Sequence, residues 1–229
     1  MYQGGKGITL IPRSGTYSKV VLWFHGLGDS ADGWADMMPQ FGLENTKFIL
    51  PTASSIPISI NGGMEMNGWS DIHGLSMDAT EDRKGFDLAA ARINTIIQSE
   101  IEKGIPASKI AIGGFSQGGA LALHVSLRSP NSFAGCVALS TWLPLRDDYP
   151  EKMSPAAKSL PIFQVNYDSL TMTVITAAAA SNCDVLKALR MPLHLTQITP
   201  QNYIFHHSYR SILCYHSYLP VYLLSTGLL

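Results

Sequence analysis

The run KIAIGGFSQGGALALHVSL, residues 109–127, decides the fold. Ile110, Ala111 and Ile112 make a short apolar strand, and residues 117–127 carry a helical pattern. Between them, Gly113-Gly114-Phe115-Ser116-Gln117-Gly118-Gly119 sets a serine at the corner where strand becomes helix, with a glycine two residues to either side. A serine hydroxyl is a weak nucleophile and has to be held beside a base and beside donors for a developing oxyanion. A sharp strand-to-helix corner achieves this, because flanking glycines let backbone pass without side-chain collision. The helix start adds its positive dipole and the free N–H of Gln117. A lone G-x-S-x-G is a common accident, and its plain reading is a glycine-rich turn capped by serine. The strand–turn–helix setting favours the nucleophile.

Outward from this corner the chain alternates strands and helices. Residues 19–25 (KVVLWFH) form a continuous apolar run, the signature of a strand covered on both faces. Residues 47–50, 133–139 and 160–165 read as further strands. Residues 85–103 carry Phe86, Ala89, Ala90, Ile93, Ile96, Ile97 and Ile101 at helical spacing, stopping at Gly104 before Pro106. The expected fold class is α/β, with a mostly parallel central sheet and helices on both faces, as one domain over residues 1–229. After the strand at 19–25 comes His25-Gly26-Leu27-Gly28-Asp29-Ser30, a glycine-rich exit that can aim the Leu27 N–H into a cleft. Alone it reads equally well as a tight turn.

Composition narrows the function classes. Hydrophobic residues are 46% of the 229 and charged residues 14%, which suits a soluble globular domain. The net charge of −1 offers no basic field for nucleic acid. Cys136, Cys183 and Cys214 are scattered, against a disulfide framework or zinc site and in favour of a reducing compartment. The first residues lack the apolar core of a signal peptide, and Tyr2 excludes N-myristoylation, so a cytoplasmic location is expected. Asp29, Asp32 and Asp36 lack calcium-loop spacing and read as a solvated loop. His73 and His124 stand alone, and Asp78, Glu81 and Asp82 read as the surface of a helix start.

HGLGDSADGW, MNGWSDIHGLS, GFSQGGALAL and LSTWLPL, in this order, resemble the acyl-protein thioesterases, which group with small carboxylesterases and lysophospholipases of the α/β-hydrolase fold. The resemblance covers about residues 15–165. It implies hydrolysis of acyl thioesters or carboxylic esters with Ser116 as nucleophile, S-acylated proteins or small acyl esters as substrates, transient contact with a membrane surface, and no metal or other cofactor. It also implies oxyanion donation by the Leu27 and Gln117 backbones, and an acyl groove lined by Trp69, Leu75, Trp142 and Leu143. Ordinary core packing is the plainer reading of each groove residue.

The other two members of a catalytic triad are harder to find. The fold's order is serine, acid, histidine. The family's His-Gly-Asp-x-Asp-Pro pattern meets Asn166-Tyr167-Asp168-Ser169-Leu170-Thr171 here, so Asp168 matches the first aspartate and Leu170 stands where the second belongs. His207, in His206-His207-Ser208, is the nearest echo of the family's histidine. Residues 169–229 hold only Asp184, Lys187, Arg190 and Arg210 as charged residues, and only Gly227 as glycine. This divergent tail is expected to lack family likeness, as an altered reading frame or alternative exon would produce, and to leave a sheet edge open. A catalytically impaired acyl-binding or interaction protein is the rival reading. Residues 211–229, uncharged throughout, suggest a tail anchor, but His216 and Pro220 make a poor span.

Overall fold

The computed structural model describes residues 4–76, 78–167, 172–177 and 196–197. Its strands are β1 (Ile8–Leu10), β2 (Lys19–Phe24), β3 (Thr46–Leu50), β4 (Ser54–Ile58), β5 (Met64–Gly68), β6 (Ile110–Phe115), β7 (Gly135–Leu139), β8 (Ile162–Tyr167), β9 (Met172–Ala177) and β10 (Thr196–Gln197). Its helices are α1 (Asp32–Ala35), α2 (Arg83–Glu102) and α3 (Gln117–Arg128). Eight strands form one sheet in the order β1-β3-β2-β6-β7-β8-β9-β10, and β4 and β5 pair as a separate antiparallel hairpin. The centre, β3-β2-β6-β7-β8, is parallel throughout, while β1 on β3 and β9 on β8 run antiparallel.

Alternation along the central strands explains why they read as unbroken apolar runs. Val20, Leu22 and Phe24 of β2 enter one core with Ile110 and Ile112 of β6, whereas Val21 and Trp23 enter a second with Ala111 and Val137. The two cores are covered unequally. Both long helices, α2 and α3, pack on the first face, and the second is covered among the described residues by α1 and the turn at Met38–Phe41. Each fully buried side chain of α2, such as Phe86, Ile93 or Ile97, contributes on the order of 2 kcal/mol.

One expectation changes. The edge of β8 is not open: β9 pairs with it from Ile162↔Ala177 to Tyr167↔Met172, and β10 lies parallel to β9. The segment after Asp168 therefore adds strands to the sheet. The hairpin β4–β5 was not legible, because Pro57 and the glycine pair Gly62-Gly63 mask its alternation. Pro57 is tolerated because a two-stranded sheet has only edges.

Candidate active site

The sheet ladder and α3 together force the conformation of Ser116. β6 runs on past Ile112 through Gly113 and Gly114 to Phe115, and α3 begins at Gln117, leaving one residue to make the corner. Ser116 takes φ 53° and ψ −122°, a backbone region costly for any residue with a side chain. Its surroundings hold it there. Its N–H donates to the Leu139 carbonyl at 2.8 Å, and its carbonyl accepts from Thr141 Oγ1 at 2.7 Å and Ala120 N–H at 3.1 Å. The corner needs Gly118 because a Cβ there would run into the carbonyl oxygens of Phe24 and His25.

Ser116 is 3% exposed, far more enclosed than a freely presented side chain. Its hydroxyl has no hydrogen-bond partner among the described residues, and it is not one of the sealed polar atoms. The oxygen is therefore left without a partner by the described residues. The loop after β2 passes beside it, since a Cβ on Gly26 would lie 3.5 Å from Ser116 Cβ. Among the described residues, neither the Leu27 N–H nor the Gln117 N–H has an acceptor. The start of α3 lies at this corner, and its dipole favours negative charge there.

His25 is buried under this loop. Its Nε2 accepts from Ala53 N–H at 3.0 Å, so its proton sits on Nδ1 and is donated to the Gly26 carbonyl at 2.7 Å. Burial lowers its pKa, partly opposed by the Gly26 bond, and the ring remains a neutral strut.

The four groove candidates separate into two pairs. Leu75 and Trp142 line one cleft, together with Ile72 and Phe86. Trp69 does not line it. It is 4% exposed, stacked on Phe24 and His25, with its indole N–H on the His25 carbonyl at 2.8 Å, so its place is in the core. Leu143 packs against the main core and likewise stands outside the cleft lining. The cleft begins next to the elbow: Thr141, bonded to Ser116, precedes Trp142, and Ser70, bonded to Gln117, precedes Asp71.

Three residues gain roles that the sequence did not announce. Glu81 is not an idle helix-start charge: its carboxylate accepts from the Trp142 indole at 2.8 Å and the Leu145 N–H at 2.7 Å, fixing the cleft wall. Asp29 is not free in a solvated loop either, since it accepts from Ser30 N–H at 2.7 Å and the Trp34 indole at 3.0 Å. His73 lies in the cleft lining with Nδ1 3.3 Å from Asp71. The Glu81 contacts reach over 60 residues along the chain and carry no local signal, whereas the partners of Asp29 and His73 are near neighbours in sequence but follow no motif that marks them. Asp168 and His207, the sequence candidates for acid and base, lie outside the described residues, as does the run 211–229. Among the described residues, no helix is long and apolar enough to cross a membrane.

The phospholipase/carboxylesterase family matches residues 8–192. That reaches beyond residue 165 and corrects the expectation that likeness ends near Asp168. The acyl-protein thioesterase 1 of Schizosaccharomyces pombe is 36% identical over 174 residues, 75% of this chain and 78% of that protein. The protein of the same name from Neurospora crassa is 40% identical over 183 residues, covering 72% and 75%. Among solved structures, Zea mays acyl-protein thioesterase 2 superposes with a TM-score of 0.63 at 28% identity, over 80% of this chain and 84% of that one. Arabidopsis thaliana SOBER1 gives 0.61 at 30% identity, over 64% and 72%.

Proposed function

The chain belongs to the phospholipase/carboxylesterase family of α/β-hydrolases, and from that premise we propose that it removes acyl groups from S-acylated proteins and small acyl esters through an acyl-enzyme on Ser116. One observation carries this reading: Ser116 makes the β6–α3 corner, and among the described residues its hydroxyl has no partner and the nearby Leu27 and Gln117 N–H groups have no acceptor. Ser116 Oγ attacks the acyl carbonyl and passes its proton to a base. The two amides hold the oxyanion, and the thiol or alcohol leaves with the proton. Water then attacks the acyl-enzyme and frees the acid. One oxyanion donor is worth roughly 10²–10³ in kcat. The apolar part of the cleft, Ile72, Leu75, Phe86 and Trp142, supports an acyl chain as the bound group.

His207 is the base in this reading, with Asp168 as its orienting acid. The reading extends to a cytoplasmic location and transient contact with a membrane surface, because an S-acyl chain stays in the bilayer until it is cut.

The test is a fluorophosphonate probe followed by turnover of a palmitoylated cysteine peptide and of a matched oxyester. Wild type is labelled and hydrolyses both, and Ser116→Ala does neither. His207→Ala lowers kcat by about 10³-fold or more. An unlabelled wild type at every pH would instead support the rival acyl-binding protein.

A further inference from the structure

The two amides that would hold the oxyanion come from parts of the chain far apart in sequence, Leu27 after β2 and Gln117 at the start of α3. The ladder between β2 and β6 ends at Phe24↔Gly114, so no strand pairing fixes residues 26–28 against residues 116–117. Four residues at the end of β5 take over at that point. Asn67 grips the first half twice: its carbonyl accepts from the Gly28 N–H at 2.8 Å, and its Nδ2 donates to the Asp29 carbonyl at 2.8 Å. Two residues on, the chain grips the second half. The Trp69 N–H donates to Gln117 Oε1 at 2.9 Å, and Gln117 Nε2 donates to the Ser70 carbonyl at 2.7 Å and hydroxyl at 3.2 Å. Trp69 also reaches back to the first half through its indole N–H on His25. Gln117 is wholly buried and Ser70 nearly so, which keeps water from competing for these bonds.

We propose that Asn67-Gly68-Trp69-Ser70 is a strap that sets the separation between the Leu27 and Gln117 amides, which makes the Asn67 and Gln117 side chains positioning residues for the oxyanion. Its catalytic consequence rests on the hydrolase reading above. Donors aimed at a developing charge must be held within a few tenths of an ångström, and the strap is the continuous piece of chain bonded to both sides. It is anchored in turn by the β4–β5 ladder, where Ser55 pairs with Asn67 and Ser54 with Gly68. The Leu27 side chain also packs against the small cluster of Ile56, Ile58 and Ile72, two of which belong to that hairpin.

The test compares the full-length wild type with Asn67→Ala in two measurements: steady-state hydrolysis of a p-nitrophenyl octanoate ester, and amide hydrogen exchange read by mass spectrometry. The strap requires kcat to fall about 10- to 100-fold with KM within about twofold, since only the transition state uses both donors. It also requires faster exchange in residues 26–29 and in residues 117–120, although Asn67 bonds only to the first. An unchanged kcat, a loss confined to KM, or acceleration confined to residues 26–29 overturns it. Should Asn67→Ala not fold, Asn67→Asp removes the same donor at equal volume and meets the same criteria. If the wild type itself turns over no ester, the hydrolase reading fails, and the strap then stands or falls on the coupled exchange alone.

Discussion

Ser116 and Gly118 show how little freedom the corner leaves. With Ser116 at φ 53°, α3 starts so close to the end of β2 that the position of Gly118 has no room for a methyl group. The obstacle is backbone carbonyl, which cannot rotate aside, so Gly118→Ala must push α3 away from β2. We expect a loss of about 2–3 kcal/mol, a Tm lower by several degrees and a kcat lower by at least about 100-fold, since in the proposed mechanism the displaced helix carries one oxyanion donor. Thermal melts and ester hydrolysis check this, and wild-type kcat in the variant would show that the corner tolerates the shift. These residues were legible because every cue sits within ten positions of Ser116: an apolar strand, paired glycines and a helical repeat. Glu81 and Asn67 were not legible, because their partners Trp142, Leu145, Gly28 and Asp29 lie dozens of residues away.

At the scale of elements, α2 was placed by periodicity and bounded by its caps. Asp82 Oδ1 accepts from the Gly85 N–H at 2.9 Å and moves the start two residues ahead of the expected one. At the far end, Gly104 at φ 94° closes a Schellman turn, with its N–H on Ile101 and that of Ile105 on Glu100. What periodicity could not show is that Glu100, on the buried side of α2, binds Lys47 of β3 at 2.8 Å and accepts from the Tyr17 hydroxyl at 3.1 Å. Lys103 donates at 2.8 Å to Oε1, the oxygen that Lys47 also uses, whereas Tyr17 bonds Oε2. The Lys47 and Glu100 side chains are only 9% and 3% exposed, so removing one leaves the other charge nearly dry. Glu100→Ala should therefore cost about 3–5 kcal/mol in urea unfolding, and the double variant Lys47→Met/Glu100→Leu should recover most of that loss. Additive losses in the double variant would show that the pair is not coupled.

Over the whole molecule, two buried histidines set the acid limit of stability. His124 on α3 bonds Asp87 of α2 at 3.1 Å, and burial, with the Arg128 charge adding to it, lowers its pKa to about 4 against pulls from Asp87 and Asp148. Its Nδ1 is sealed without a partner among the described residues, so protonation there finds no acceptor. His25 is lowered too, chiefly by burial. The unfolded chain, with histidines near 6.5, binds protons that the folded chain refuses. Stability is thus full above about pH 6.5 and declines as the pH falls toward 4. Tm should drop steadily across pH 7, 6 and 5, and His124→Gln should flatten that slope. Asp148, held low first by its bond to Arg83, releases its contribution only at more acidic pH. A Tm constant from pH 7 to 5 would contradict both histidine assignments.

The sequence by itself determined the α/β class, the strand–corner–helix around Ser116 and the run of α2, because each is written in neighbouring residues through periodicity and glycine placement. Only the tertiary structure decided that Trp69 belongs to the core while Leu75 and Trp142 share a cleft, that β9 covers the edge of β8, and that residues 67–70 bond both to the loop at Gly28–Asp29 and to Gln117. Those outcomes depend on which distant surfaces meet when the strands pair and the helix docks, and no local pattern records where a chain will find its partners.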